Sequence, residues 1–412
     1  MKYIVILGDG MADYPIPQLN GKTPLQSAKK PNMDYLAKNG LIGMVKTIPD
    51  GIPPGSDVAN LSVMGYDVKK YYTGRSPLEA VSMGIALLDT DITFRCNLVT
   101  LSDDEPYNEK VMVDYCSDEI SSVEAAELIK EINKHFKTDS ILYYSGVSYR
   151  HCMVWKKGPF DFIPSPLTPP HDILEKKIKQ YLPGGKNGEK LLEMMVRSYD
   201  ILKDHPVNKA RIARGLKPAN SIWLWGEGKK PAVPEFYEKY KIKGSVISAV
   251  DLIKGLGICA GLRPINVEGA TGNIHTNFLG KAQAALNELE SGQDFVYIHI
   301  EAPDECGHRN EIENKVRSIE LIDEQVVGTI LKGIEKMDDY SILILPDHPT
   351  PLSLRTHTSE PVPFILYQKS SAMVSGNISY DESSAKRSGI MVSEGYKLMD
   401  HFIKQIPFSE IQ

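Results

Sequence analysis

The chain has 412 residues, of which 42% are apolar, 24% charged and 8% aromatic. These values bury a sizeable core in two to three domain-sized units, or in one split domain, and exclude a chain disordered throughout. Forty-seven basic against 53 acidic side chains leave a formal charge of −6, and the five cysteines stand far apart with no CxxC pair, so neither a nucleic-acid or anionic-membrane surface nor a disulfide framework or structural zinc site is expected.

Residues 2–7 (Lys-Tyr-Ile-Val-Ile-Leu) form a nearly continuous apolar run bounded by Gly8, the texture of a strand buried on both faces in a parallel sheet. The run lacks the basic start and long apolar core of a signal peptide, and no stretch reaches the roughly 18 apolar residues of a membrane span. A soluble, cytoplasmic protein is the expectation. Between about 90 and 217 the texture changes to short alternating strands at 97–101, 111–113, 141–145 and 151–155. A helix is predicted over 121–136, with others near 171–180 and 188–203, and Pro/Gly-rich breaks at 164–170 and 183–188. A strand is expected at 221–225 and a helix at 249–256. Beyond them, buried strands at 295–300, 341–346 and 363–367 alternate with helical periodicity at 276–290, 311–336 and 390–404, and the polar stretch 370–388 reads as a surface loop. Strand-helix alternation predicts an α/β, doubly wound, mostly parallel sheet. Core-type strands on both sides of the middle segment predict a core of 1–89 and 218–412 interrupted by an α+β unit over 90–217; two consecutive domains are the alternative.

The chemistry-bearing residues cluster behind the strands. Asp9 follows the first; Asp304 and His308 follow 295–300; Asp347 and His348 follow 341–346; His357 comes nine residues after His348. In open α/β sheets ligands bind outside the carboxyl ends of the strands, so residues placed there converge. Each alone reads as a turn, cap or satisfied core residue. Together, three aspartates and three histidines offer mixed carboxylate and imidazole ligands for two divalent metals, of the Mn²⁺ or Zn²⁺ type more than Ca²⁺. Such a pair, about 4 Å apart, clamps the entering and leaving oxygens of a phosphoryl transfer. Ser56 follows a Pro/Gly-rich loop and opens a predicted helix, where free N–H groups favour an anion. It is the candidate nucleophile, with plain N-capping as the competing role.

The segments Gly8-Asp9-Gly10, Pro54-Gly55-Ser56-Asp57-Val58-Ala59, Tyr72-Thr73-Gly74-Arg75-Ser76-Pro77-Leu78-Glu79-Ala80, Ala302-Pro303-Asp304-Glu305-Cys306-Gly307-His308 and Pro346-Asp347-His348-Pro349-Thr350-Pro351 resemble those of the archaeal-type cofactor-independent phosphoglycerate mutases, of the alkaline phosphatase superfamily. The resemblance runs over nearly the whole chain and includes Trp223-Leu224-Trp225-Gly226. It implies an alkaline-phosphatase-like core with an inserted substrate-binding domain. By similarity one metal takes Asp9, Ser56, Asp347 and His348, and the other takes Asp304, His308 and His357. Mn²⁺ is the implied ion, with Zn²⁺, Co²⁺ or Mg²⁺ as alternatives, and no 2,3-bisphosphoglycerate is required. The implied reaction interconverts 3- and 2-phosphoglycerate through phospho-Ser56, with the inserted domain closing over the freed glycerate to keep water out.

Holding glycerate needs cations. Arg211 and Arg214 are spaced to share a helix face, and the planar guanidinium suits carboxylate and phosphate. Arg150 with His151, Arg75 and Lys254 are further candidates, as is His171-Asp172, whose plainer reading is a helix start. Three rivals remain: a homoserine kinase-like phosphotransferase of the same family, for which Asp114, Asp161 and Asp172 could meet an ammonium group; a metal-dependent phosphatase or phosphodiesterase; and a non-catalytic binding protein, against which the intact ligand set argues. The expected partner is a small phosphorylated substrate, with no nucleic acid and no membrane. The oligomeric state, and any role for Cys306 beyond packing, stay open.

Overall fold

A computed structural model describes all residues except 163, 165, 372–378 and 408–412. In chain order the strands are β1 (Lys2–Gly8), β2 (Leu41–Val45), β3 (Ile92–Leu101), β4 (Met112–Asp114), β5 (Ile141–Tyr144), β6 (Arg150–Trp155) and β7 (Ser221–Lys229). They continue with β8 (Gly244–Ile247), β9 (Arg263–Ile265), β10 (Phe295–Ile300), β11 (Tyr340–Leu345), β12 (Val362–Gln368) and β13 (Met391–Val392). The chain packs as two compact units, one of residues 1–72 and 232–412, the other of residues 73–231.

The larger unit holds an eight-stranded sheet in the order β13-β2-β12-β11-β1-β10-β8-β9. β1 runs parallel to both neighbours, β10 and β11; β12 is antiparallel to β11 and β2. β10 and β11 are buried along their whole length, which is why their sequences are apolar without alternation. On one face Ile4, Ile6, Val296, Ile298, Ile342 and Ile344 pack on Ala282, Ala285, Leu286, Ile319 and Ile330 of the covering helices. The expected α/β class and mostly parallel sheet are those found.

The smaller unit is an antiparallel sheet in which β3 is paired by β6, β7 and, at its end, β4, with β5 outside β6. Phe94, Cys96, Leu98, Met153, Ile222 and Leu224 pack on Leu128, Ile129, Ile132, Leu191 and Met195 of the helices Ser122–Phe136 and Gly185–Leu202.

Four local expectations need correction. The strand at 221–225 pairs with β3 in the smaller sheet, so packing divides the chain at 72/73 and 231/232 and not at 90 and 217. The helix expected at 171–180 is two short 3₁₀ turns, Pro170–Ile173 and Lys179–Tyr181, because Pro169-Pro170 and a Lys-rich run supply no apolar stripe. The helix expected at 390–404 is only Lys397–Lys404, preceded by β13. Part of the expected loop 370–388 is the helix Glu382–Arg387, capped by Asp381, which accepts from the Ser384 N–H; residues 372–378 lie outside the described residues. The helical stretch 311–336 carries a π-helical turn, Ile322–Val327. Among the described residues no helix is long and apolar enough to cross a membrane.

Candidate active site

β11, β1 and β10 lie side by side and point the same way, so their carboxyl ends bring three acidic residues to one edge. Asp9 directly follows β1, Asp347 follows β11 after one residue, and Asp304 lies in the first turn of the helix Ala302–Arg309 that follows β10. Adjacent strands are only about 4.8 Å apart, which sets the spacing of these carboxylates. His308, four residues after Asp304 on the same helix, shares its face, with Nε2 3.2 Å from Asp304 Oδ2. His348 Nε2 lies 3.6 Å from Asp9 Oδ1 and 3.5 Å from Asp347 Oδ2, and His357 Nε2 is 3.4 Å from Asp304 Oδ1. Gly10 allows this convergence. Its φ is +63°, and a Cβ there would stand 2.7 Å from Asp304 Cα, so only glycine fits beside these carboxylates.

Ser56 is the first residue of the helix Ser56–Val63, with Gly55 at the N-cap position. Its hydroxyl does not cap; Oγ lies 3.1 Å from His348 Nε2. The sequence signal therefore located the serine correctly at a helix start, while the capping role falls away.

Asp9, Asp304 and Asp347 are 1%, 4% and 0% exposed, and their short charge contacts are with histidines. Burial, and then the Asp347 and Asp304 carboxylates, hold the Asp9 carboxyl well above the usual range. Burial opposes ionisation of Asp304 too, but contacts with His308 and His357 outweigh it and hold that carboxyl well below the usual range. The same contact with Asp304 lifts His308 to about 9, and burial lowers His348. Three buried carboxylates gathered in one place are costly unless positive charge matches them. Two further observations fit a divalent cation to this donor set. Asp9 Oδ1 is buried with no hydrogen-bond partner. His308 Nδ1 lies 3.0 Å from the Arg355 carbonyl, to which only an N–H can donate, and the opposite nitrogen, Nε2, faces His357 Nε2 at 2.9 Å. Two imidazole nitrogens so placed need a cation or a proton between them. Asp304, His348 and His357 each offer an atom within 4.8 Å of the others, as do Asp9, His299 and Asp347.

The sequence reading did not single out the residues behind these acidic side chains. His299 Nε2 is 3.0 Å from Asp9 Oδ2. Asn60 Nδ2 donates to Asp347 Oδ2 and to the Ser56 carbonyl, and Asn60 Oδ1 accepts from the Tyr297 hydroxyl. The Thr350 hydroxyl donates to Asp304 Oδ1. The available signal was a histidine inside Phe-Val-Tyr-Ile-His-Ile, an otherwise apolar buried run.

The candidate substrate cations fall into separate groups. Arg211 is 2% exposed, and its guanidinium is committed to the Lys217 carbonyl, Glu124 and the Ser117 carbonyl; it is a packing residue with no donor group exposed. Arg214 is exposed and pairs with the same Glu124, so the two arginines do share a partner, but an internal one. Lys254 sits in the larger unit, paired with Asp251 at 3.0 Å. His151 is buried and kept neutral, pushed down to about 3 by burial, with Nδ1 accepting from the Gly146 N–H. His171 rests its ring against Trp225 and Tyr115. Arg75 pairs with Glu79 at 2.9 Å. Arg95, which the sequence reading missed, pairs with the other oxygen of Glu79 at 3.0 Å and stacks over Trp225. The field of Arg150 also reaches Glu79: burial opposes its ionisation, but Arg95, Arg75 and Arg150 together hold it below the usual range.

Residues 37–208 match the family model for 2,3-bisphosphoglycerate-independent phosphoglycerate mutase. A probable 2,3-bisphosphoglycerate-independent phosphoglycerate mutase of Geobacter sulfurreducens is 51% identical, covering 97% of this chain and 99% of the relative. The 2,3-bisphosphoglycerate-independent phosphoglycerate mutase of Methanothrix thermoacetophila is 50% identical, covering 97% and 98%. Among solved structures, the cofactor-independent phosphoglycerate mutase of Thermoplasma acidophilum superposes with a TM-score of 0.67 at 28% identity, covering 98% of this chain and 100% of that one. With near-complete coverage at half identity, the chain belongs to the 2,3-bisphosphoglycerate-independent phosphoglycerate mutases, isomerases that act on phosphoglycerate.

Proposed function

We propose that this mutase moves the phosphoryl group between the two hydroxyls of glycerate by way of Ser56, on a site that uses two divalent cations. One observation carries the reading: Ser56 Oγ stands 3.1 Å from His348 within a buried cluster of three carboxylates in which Asp9 Oδ1 has no partner. Asp9, Ser56, Asp347 and His348 would hold one ion, and Asp304, His308 and His357 the other. The mixed carboxylate and imidazole donors suit Mn²⁺, with Zn²⁺, Co²⁺ and Mg²⁺ as alternatives. When bound, the ions supply positive charge to the phosphoryl oxygens and lower the pKa of the serine hydroxyl.

The covalent steps belong to the serine. Oγ gives up its proton and attacks phosphorus, the bond from phosphorus to the C3 oxygen of 3-phosphoglycerate breaks, and that oxygen takes up a proton. The C2 hydroxyl of the retained glycerate then gives up its proton and attacks phosphoserine, the bond from phosphorus to Oγ breaks, and Oγ takes up a proton. Water in the second step would make the protein a phosphatase. We assign Arg75, Arg95 and Arg150, which gather around Glu79, to the substrate carboxylate, a group that the planar guanidinium suits.

The test offers purified protein with Mn²⁺ 3-phosphoglycerate in an enolase-coupled assay, beside homoserine with a phosphate donor and an aryl phosphate. Turnover of 3-phosphoglycerate alone, lost in Ser56→Ala and in EDTA, is expected. Turnover that survives either perturbation sinks the serine or the metal; free phosphate from every substrate makes the protein a hydrolase.

A further inference from the structure

We propose that His299 is a positioning residue, whose Nε2–H holds Oδ2 of Asp9 so that Oδ1 alone is presented to a cation. The inference rests on the metal-dependent reading above and concerns how one of its ligands is aimed. His299 is wholly buried in β10, in register with Leu7 of β1. Its carbonyl accepts from Lys281 Nζ at 3.1 Å, and the Asp9 N–H donates to the neighbouring Ile300 carbonyl at 2.9 Å, so the backbone is fixed on both sides of the contact.

Hydrogen-bond roles then determine the tautomer. Once a cation ionises Asp9, its carboxylate only accepts, so the His299 nitrogen 3.0 Å from Asp9 Oδ2 must then carry the hydrogen. The other nitrogen, Nδ1, lies 3.2 Å from Ser248 Oγ. The Val250 N–H already donates to that oxygen at 2.9 Å, which leaves the Ser248 hydroxyl hydrogen to point at Nδ1. Both ring nitrogens are thereby used, and neither has a lone pair left for a metal, although His299 lies in a ligand-like group with Asp9 and Asp347. Among the described residues Asp9 Oδ1 is left buried without a hydrogen bond, with His348 Nε2 3.6 Å away. Partners that orient a ligand from behind typically change metal affinity by roughly 10–100-fold when removed.

The test titrates Mn²⁺ into metal-free full-length protein by calorimetry, comparing wild type, His299→Phe, His299→Gln and Ser248→Ala, with His308→Ala as a ligand control. His299→Phe is expected to weaken one of two ions by roughly 10–100-fold with stoichiometry unchanged, and His299→Gln, which keeps an N–H donor, to recover part of that loss. Nitrogen NMR of ¹⁵N-histidine-labelled protein saturated with diamagnetic Zn²⁺ is expected to show a histidine, absent in His299→Gln, protonated on Nε2 and bare on Nδ1. A proton on Nδ1 overturns the proposal, as does unchanged affinity in a folded His299→Phe protein. A stoichiometry falling from two to one makes His299 a ligand and overturns it too. Should His299→Phe fail to fold, the NMR tautomer decides. Wild type that binds no Mn²⁺, with His308→Ala no different, would sink the metal reading itself, an outcome distinct from each of those above.

Discussion

Replacing Arg211 by alanine separates a packing role from a substrate role. The side chain is buried, with Nε donating to the Lys217 carbonyl at 3.0 Å, Nη1 to Glu124 Oε2 at 2.7 Å and Nη2 to the Ser117 carbonyl at 2.6 Å. Truncation strands the Ser117 carbonyl in a residue that is 0% exposed and leaves the Lys217 carbonyl short of a donor, at about 1–3 kcal/mol each. Glu124 keeps Arg214, so its loss is small. The total expected is about 2–6 kcal/mol. All three tryptophans (155, 223 and 225) lie in the smaller unit, so their emission in urea reports the part that is damaged. At about 2 kcal/mol per M, the midpoint falls by about 1–3 M. The KM for 3-phosphoglycerate, measured on folded protein, stays within about twofold, and Arg214→Ala, which removes an exposed pair, costs at most about 1 kcal/mol. A KM raised about tenfold with the midpoint shifted by under about 0.5 M would refute the packing role and restore Arg211 to the substrate.

Two other outcomes follow from buried carboxyls. Burial raises Glu382 from 4.5 to about 7, although it accepts from the Asp13 N–H and the Thr23 hydroxyl. The folded state then holds the proton more tightly than the unfolded one, so stability declines as pH rises from about 4.5 to 7. The cost above that window is at most about 3 kcal/mol. Glu382→Gln removes the slope: relative to wild type, its urea midpoint climbs between pH 5 and pH 8, and parallel profiles would contradict the shift. Asp9→Asn takes one charge from a carboxylate cluster in which burial and like charges already disfavour ionisation. In EDTA at pH 8 its melting temperature rises above wild type, while the further rise on adding Mn²⁺ is lost; a lower midpoint in EDTA would show that the negative charge at Asp9 is not a burden.

Much of the candidate site was legible because its carriers sit where strand ends must put them. Asp9, Asp304 and Asp347 each follow a run buried on both faces, and a parallel arrangement aligns such ends whatever the intervening sequence. The props behind them were hidden by the same burial. His299 and Tyr297 lie inside one of these runs, and nothing local distinguishes a polar residue with a buried partner from core filling. Trp223-Leu224-Trp225 misled for a related reason, since a continuous apolar strand reads alike in either sheet and only its pairing with β3 assigns it. Arg211 and Arg214 were rightly placed on one helix, but the identity of the group facing them, Glu124, is a contact across 87 and 90 positions that spacing cannot supply. The helix Glu382–Arg387 was missed because its six residues are polar enough to look like loop.

The central place of β1 has a consequence for how the chain is made. Both neighbours that complete it, β10 and β11, leave the ribosome only after residue 294, whereas residues 73–231 form a contiguous unit. Domains generally fold as units during synthesis, so the smaller unit can settle while the opening strand still waits with two apolar edges open, a state prone to sticking. Sites assembled from such distant stretches form late and slowly. The nascent chain therefore has no complete carboxylate cluster until its last third emerges, and a protein truncated before Tyr340 keeps β1 half-paired.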